Sequence, residues 1–206
     1  MKNRNIFKSK VAFPKTRTAN RRFEGSKVLE KPLLLFFIIS GIFICSCATN
    51  NNGILYSVVE CPKSIREKVV YYAQEYVKRD TYFSMGGRDL LEQEGDLALD
   101  CSGIIVRAYQ YAVKDSMYDL LFEDTNVSSF YYYFTNKIDM PEPGDLIFMG
   151  YNYPTHMSIF FDMDDEYIYF IDATLKEDDG FDGVNLRFYK KDDNRFLTFG
   201  RLLVKI

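Results

Sequence analysis

Apolar side chains recur at helical spacing in two stretches of the chain. In the first, residues three or four positions apart are apolar: Ile65, Val69, Tyr72, Ala73 and Tyr76. This spacing predicts a helix that opens at Pro62 and runs to about Val77. In the second stretch, the repeated positions are Ile104, Ile105, Ala108 and Ala112. They predict a helix that directly follows Asp100.

Five later stretches are short, apolar and bounded by turn residues, which favours strands. They are residues 146–149, 156–161, 167–172, 185–189 and 197–204. Residues 114–140 are less regular, and the aromatic run 130–134 within them fits either a helix or a strand. Helices that precede a run of strands indicate an α+β domain, with N-terminal helices packed on a largely antiparallel sheet of about five to six strands.

The second predicted helix carries a thiol in its first turn. Asp100 is a suitable N-cap, since its carboxylate can accept from the free backbone N–H groups of Ser102 or Gly103. Cys101 is then the first helical residue, where the helix dipole favours a thiolate and the free amides can hold an oxyanion. These properties indicate a nucleophile, although a small buried apolar role for Cys101 fits this stretch alone equally well.

A second chemical group follows from counting along a predicted hairpin. His156 is the only histidine of the chain. If residues 162–166 form the loop, Phe161 pairs with Tyr167. His156 then lies directly opposite Asp172, with about 5 Å between their Cβ atoms. The carboxylate would fix the imidazole tautomer and leave the other ring nitrogen free. The alternative is that both side chains are solvated at the strand ends, and a register slip of one residue would remove the pairing.

Residues 1–47 combine a basic segment with a short apolar one. Ten of the 26 basic residues but only two of the 29 acidic residues lie here. The apolar part, residues 33–45, is shorter than the about 20 residues that span a bilayer and fits the core of a signal peptide. It ends in Ile44-Cys45-Ser46-Cys47, which resembles a bacterial lipobox and so implies lipidation of Cys47. An ordinary secretory signal and an uncleaved anchor are the alternatives.

The remainder divides into a tether over residues 48–60, which begins with the polar run 48–53, and a domain over residues 61–206. Residues 48–206 hold 16 basic and 27 acidic residues, a net charge of −11, which argues against nucleic-acid binding. We expect Cys61 and Cys101 to be free and Cys61 to be structural, although a bridge between them would fit an exported protein. The sequence has no Cys/His cluster with zinc spacing, so no metal site is predicted.

Several segments, in this order and spacing, resemble the NlpC family of bacterial cell-wall cysteine peptidases. Asp100-Cys101-Ser102-Gly103 is similar to the family's DCSG motif, and residues 143–148 (PGDLIF) to its PGDL(V/I)F strand. His156 stands where the family's general base opens the next strand. Gly86-Gly87 and Phe199-Gly200-Arg201 resemble the double glycine before the nucleophile and the final strand.

The resemblance implies a papain-like fold in which Cys101 attacks an amide carbonyl, His156 transfers the proton and Asp172 orients His156. The family most often has a histidine as the third residue, whereas this chain has Asp172. A carboxylate can orient an imidazole at least as well, and it stabilises the imidazolium. Ser158 is a further departure, since the family commonly has glycine there. No metal or organic cofactor is implied.

The family's usual substrate is the peptidoglycan stem peptide, cut between γ-D-glutamate and the diamino acid. By that resemblance, Asp100 and Ser102 would contact the free amine of the peptide. Tyr82, or its neighbour Phe83, would fill the position of a family tyrosine in the substrate site. We therefore expect a monomeric peptidoglycan peptidase that is lipid-anchored in the bacterial envelope, periplasmic or at the cell surface. The alternatives are a non-catalytic wall-binding lipoprotein and a cysteine amidase or acyltransferase acting on a different amide bond.

Overall fold

The computed structural model describes residues 46–49, 55–175 and 180–206. The helices are α1 (Lys63–Val77), α2 (Cys101–Val113) and the single turn α3 (Val127–Ser129), which continues into a π-helix (Phe130–Phe134). The strands are β1 (Ser46–Thr49), β2 (Leu55–Glu60), β3 (Thr81–Phe83), β4 (Leu97–Leu99), β5 (Asp119–Leu120), β6 (Thr135–Ile138), β7 (Leu146–Met149), β8 (His156–Met163), β9 (Tyr167–Thr174), β10 (Gly183–Lys190) and β11 (Phe196–Lys205).

One large antiparallel sheet dominates the fold. Its strand order is β1–β2–β11–β7–β8–β9–β10, with β5 and β6 also paired to β11. The predicted mixture of helices and a largely antiparallel sheet is thereby confirmed. Within the described ranges the sheet has nine strands, more than the about five to six expected from the sequence. Of the additional strands, β2, β5 and β6 pair with β11, which is distant in the chain, so their own sequences give little sign of them.

The two long helices agree with their predicted positions. The buried residues of α1 include Ile65, Val69, Ala73 and Tyr76, and those of α2 include Ile104, Ile105, Ala108 and Ala112. The helices pack against each other and contact β8 and β9. The aromatic run 130–134, whose sequence fits either a helix or a strand, is a π-helix.

Both faces of the sheet carry buried apolar residues. The face toward the helices contributes Leu146, Phe148, Met157, Ile159, Ile171 and Ala173. The opposite face holds a second cluster of Ile147, Met149, Phe160, Ile168 and Phe170. Side chains alternate between the two faces along a strand, so His156 shares a face with Phe160, and Asp172 with Phe170. His156 and Asp172 therefore lie on the same side of the sheet.

The turn between β8 and β9 is tighter than predicted. The loop is residues 164–166, and the carboxylate of Asp164 closes it by accepting from the backbone N–H groups of Glu166 (2.8 Å) and Tyr167 (2.7 Å). The pairing shifts by one residue between Phe160 and Asp162, which marks a bulge at Phe161. β8 therefore extends to Met163, into the loop that was predicted over residues 162–166.

This turn and bulge change the register. Ile159 pairs with Ile171, not with Tyr169, so the prediction that His156 lies directly opposite Asp172 is wrong. The error is two residues, which preserves the face that each side chain points to. His156 and Asp172 are diagonal neighbours instead, a separation that long side chains can bridge.

The PGD segment joins α1 to two strands through a buried carboxylate. Asp145 is fully buried and accepts from Nε (2.9 Å) and Nη2 (2.8 Å) of Arg201 on β11. Nε of Arg66 on α1 lies 3.5 Å from the same carboxylate. Gly144 has φ +89°, and a Cβ there would lie 2.4 Å from the carbonyl oxygen of Arg66. The motif therefore has a structural role, since it fixes α1 against the sheet.

The N-terminal predictions are only partly within the described residues. Residues 1–45, most of the predicted signal peptide, lie outside them. The backbone of Cys47 is in β1, and its lipidation stays a prediction. Leu55–Glu60, predicted as part of the tether, forms β2 and pairs with β11, because its apolar and β-branched residues favour a strand. Among the helices that the structure describes, none has the length and apolar character needed to cross a membrane.

Candidate active site

Asp100 fixes the first turn of α2. Its Oδ1 accepts from the backbone N–H of Gly103 (2.6 Å) and from the hydroxyl of Ser102 (2.9 Å), and its Oδ2 accepts from the backbone N–H of Gly86 (2.7 Å). The predicted N-cap is confirmed. Cys101 is thus the first residue of the helix, at the positive end of the helix dipole, and it is partly exposed.

The double glycine before the nucleophile packs directly against this turn. A Cβ on Gly103 would lie 2.1 Å from the carbonyl oxygen of Gly87, and a Cβ on Gly87 would lie 2.7 Å from the backbone nitrogen of Leu99. The Gly87 carbonyl also accepts from the backbone N–H of Asp100 (3.1 Å). Close backbone approach therefore requires glycine at both positions, and it holds the turn that carries Cys101.

We expect Gly103→Ala to lower the free energy of unfolding by about 1–3 kcal/mol, because the added methyl group displaces the Gly87 carbonyl from its hydrogen bond. Urea unfolding followed by tyrosine fluorescence measures this loss. Gly95→Asn is the control, since Gly95 has φ +83° and no heavy atom lies within 4 Å of a Cβ built there. Asparagine tolerates that conformation. An unchanged unfolding midpoint for Gly103→Ala would contradict the close packing.

His156 connects the thiol to a buried carboxylate. Its Nε2 lies 2.6 Å from Oδ2 of Asp172, and the Cys101 side chain is near enough to raise the pKa of the same ring. Because Asp172 occupies Nε2, Nδ1 is the nitrogen left for Cys101. Asp172 is fully buried, whereas 26% of the His156 side chain is exposed. The three residues predicted to be catalytic thus lie together at one site, despite the error in the predicted register.

Opposing effects set the charges in this series. Burial favours the neutral imidazole, but the hydrogen bonds and negative charges of Asp172 and Cys101 outweigh it and raise the pKa of His156 to about 10. Burial also favours the neutral acid at Asp172, yet His156 and Arg187 hold the pKa of its carboxyl below the usual range. His156 is therefore an imidazolium at neutral pH, so the site places a positive charge beside the Cys101 side chain.

The sequence analysis missed one residue of this group, Arg187 on β10. Its Nε donates to Oδ1 of Asp172 (2.9 Å) and its Nη2 donates to Oδ2 (2.6 Å). The carboxylate of Asp172 is therefore shared between His156 and Arg187. Alternation along the predicted strand would favour burial of Leu186 and Phe188 and exposure of Arg187, whereas the structure shows the opposite.

The residues predicted to bind substrate fall into two groups. Asp100 and Ser102 are buried and hydrogen-bonded to each other, so the polar atoms of both are engaged within the protein. Tyr82 on β3 is exposed, whereas its neighbour Phe83 packs against the core. Of the two aromatic candidates, Tyr82 is the one that a ligand can reach. A substrate contact at Tyr82, Asp100 or Ser102 stays a prediction.

Cys61 differs sharply from Cys101 in its surroundings. Both are free thiols, but Cys61 is 1% exposed and its Sγ lies 3.9 Å from the carbonyl oxygen of Pro62. Burial raises the pKa of Cys61 to about 12, against the opposing charge of Arg66. It is therefore a protonated, buried thiol at neutral pH, which agrees with the structural role expected of it.

A cavity of about 290 Å³ adjoins His156 on the face of the sheet that carries Asp172. Its walls include Arg187 and Tyr189 of β10, Arg195, and Thr155 next to His156. Arg195 stacks on the ring of Tyr189 at 3.8 Å. The described parts of the chain contain no group of three His, Cys, Asp or Glu side chains placed to hold a metal ion.

Comparisons with known proteins show a distant structural likeness. No protein-family model matches the sequence, and no curated protein matches it. A solved structure of a mutated form of the Resuscitation Promoting Factor Interacting protein RipA is similar over 78% of this chain and 71% of its own length. That similarity has a TM-score of 0.43 and 15% sequence identity.

Proposed function

We propose that the chain is a cysteine hydrolase that cleaves an amide bond of peptidoglycan. The observation that carries the proposal is the series formed by Cys101, His156 and the fully buried Asp172. A thiol at a helix N-terminus beside a protonated imidazole has the two features that activate a nucleophilic cysteine. Cys61 has neither feature: it is buried in the core, and burial keeps its thiol protonated at neutral pH.

The chemistry follows from these positions. The Cys101 thiolate attacks the amide carbonyl carbon and forms a C–S bond, and the oxyanion that results accepts from backbone N–H groups at the start of α2. His156 gives its proton to the leaving nitrogen as the C–N bond breaks. Water then attacks the thioester, His156 takes a proton from it, and the acid is released with Cys101 again a thiolate. Asp172 keeps the ring aimed at the thiol throughout.

The substrate is proposed from the motifs that resemble the NlpC family. DCSG at residues 100–103, PGDLIF at residues 143–148 and the histidine that follows indicate a stem peptide cut between γ-D-glutamate and the diamino acid. The net charge of −11 over residues 48–206 suits a cationic amine on the peptide better than an anionic group. Tyr82 is the exposed candidate for contact with that peptide.

The location is proposed from the N-terminal segment. The lipobox-like residues 44–47 would place a diacylglycerol on Cys47 and hold the domain at a membrane surface of the bacterial envelope. β2 then begins only a few residues after the anchor. Catalysis would thus occur close to the membrane that carries the protein.

A digest of purified peptidoglycan fragments by the full chain tests this function, with products identified by mass spectrometry. We expect a new free amine on the diamino acid and a new carboxylate on D-glutamate. Cleavage at a different amide bond would contradict the proposed bond and favour the alternative of a cysteine amidase or acyltransferase. Binding of fragments without any cleavage would contradict the enzyme and favour the wall-binding lipoprotein.

A further inference from the structure

The carboxylate that orients His156 is itself held from a third strand. Asp172 is fully buried, and a buried carboxylate is costly unless it is paired. His156 reaches only Oδ2, through Nε2 at 2.6 Å. One hydrogen bond of that kind leaves the carboxylate free to rotate about its bond to Cβ. Arg187 removes this freedom, because it bonds both oxygens at once.

The register of β10 explains why Arg187 can do this. Asn185 is the direct cross-strand partner of Asp172, and Arg187 is the partner of Phe170. Arg187 is therefore the diagonal neighbour of Asp172 on the same face. Its guanidinium carbon lies 5.4 Å from the ring centre of Phe170 and 5.3 Å from that of Tyr189. The side chain is 6% exposed, so packing as well as hydrogen bonding sets its position.

We propose that Arg187 is a positioning residue of the site, which locks the carboxylate of Asp172 in the orientation that aims His156 at Cys101. The inference rests on the proposed function and deepens it, since it adds a fourth member to the catalytic series. A guanidinium, a carboxylate and an imidazolium then follow one another toward the Cys101 thiol. Four elements supply these residues: β10 gives Arg187, β9 gives Asp172, β8 gives His156 and α2 gives Cys101.

The cavity beside this group permits a sharp test by chemical rescue. Arg187 and His156 both line the 290 Å³ cavity, so truncation of Arg187 opens a space that small cations in solution can enter. We expect Arg187→Ala to slow alkylation of Cys101 at about pH 6, and hydrolysis of peptidoglycan fragments, by about 100-fold through loss of alignment. Millimolar guanidinium should restore about tenfold of that loss, because it supplies the same planar donors to Asp172.

Arg195→Ala is the matched control. Arg195 lines the same cavity, but its Nε and Nη2 donate to Asp193 and not to Asp172. Its loss should leave the rate of alkylation unchanged, and guanidinium should have no effect on it. Arg187→Lys keeps the positive charge and most of the volume but cannot bond both oxygens in one plane, so we expect an intermediate rate. The lysine variant also serves if Arg187→Ala does not fold.

The pH profile of alkylation separates positioning from general stability. Removal of the Arg187 charge disfavours the carboxylate and, through His156, the thiolate, so the acid limb of the profile should move to higher pH. An unmoved limb, or a folded Arg187→Ala variant that guanidinium does not rescue, would overturn the proposal. Alkylation needs no substrate, so it decides the role of Arg187 even if the wild-type chain hydrolyses no peptidoglycan, a result that would refute only the proposed function.

Discussion

Cys101→Ala should reduce hydrolysis of peptidoglycan fragments to the background rate, a loss of about 10⁴-fold or more, while the fold remains intact. The methyl group of alanine fits the first position of α2, and the Asp100 cap does not use the thiol. The other free thiol among the described residues, Cys61, is buried and protonated, so it does not replace Cys101 in forming the C–S bond. Product release measured by mass spectrometry, with circular dichroism for the fold, checks this expectation.

Cys61→Ala provides the control for Cys101→Ala. It removes the other described thiol, which is buried and far more basic than an activated cysteine. We expect a modest loss of stability, from a smaller side chain in the core, and unchanged hydrolysis. Full activity in Cys101→Ala, or loss of activity in a folded Cys61→Ala variant, would remove Cys101 as the nucleophile.

Asp172→Asn should lower kcat by about 10²–10³-fold and also destabilise the protein. The amide cannot accept from both Arg187 and His156 with the geometry of a carboxylate, and it carries no charge to stabilise the imidazolium. The change also leaves the Arg187 charge uncompensated in the interior, which costs about 3–5 kcal/mol when one partner of a buried pair is removed. Steady-state kinetics and urea unfolding measure the two effects separately.

Asp193→Asn is the counterpart for Asp172→Asn. Asp193 also accepts from two nitrogens of an arginine, Arg195, but this pair is partly exposed and does not touch His156. We expect at most about 1 kcal/mol of destabilisation and no change in kcat. If Asp172→Asn turned over substrate as fast as Asp193→Asn, the role given to the buried carboxylate would be wrong.

The parts of the fold that the sequence predicted are those set by local periodicity and capping. α1 and α2 have strong helical repeats, and Asp100 marks the start of α2 through a bond to its own neighbour Gly103. The strands from 146 onward were also found, because they are apolar and bounded by turns. β2, β5 and β6 were not, because their pairing with β11 depends on residues far away in the chain.

The predicted register of β8 against β9 was wrong, but the error did not separate His156 from Asp172. The true loop is shorter than the predicted one and a bulge follows Phe160, neither of which the composition of residues 162–166 indicates. The resulting shift at Ile159 is two residues, and an even shift keeps His156 and Asp172 on one face. A shift of one residue would have separated them.

The contact between Arg187 and Asp172 could not be predicted from the sequence, for a different reason. Its contact with Asp172 depends on the pairing of β10 with β9, across a loop whose length does not fix the register. An arginine in an edge strand is normally solvated, so its type gave no sign of burial. The buried ion pair becomes visible only once Asn185 is placed opposite Asp172.

Site-resolved alkylation of the full chain by iodoacetamide tests the central claim most directly, because it reports the state of the Cys101 thiol without any substrate. At about pH 6 an ordinary thiol is almost wholly protonated, so an ion-paired Cys101 should react about 100-fold faster than Cys101 in a His156→Gln variant. Cys61 should remain unlabelled in both. The imidazolium is lost as the pH rises through the His156 pKa of about 10, so hydrolysis should fall there although alkylation does not. Equal rates of Cys101 labelling in the wild type and in His156→Gln would contradict the account.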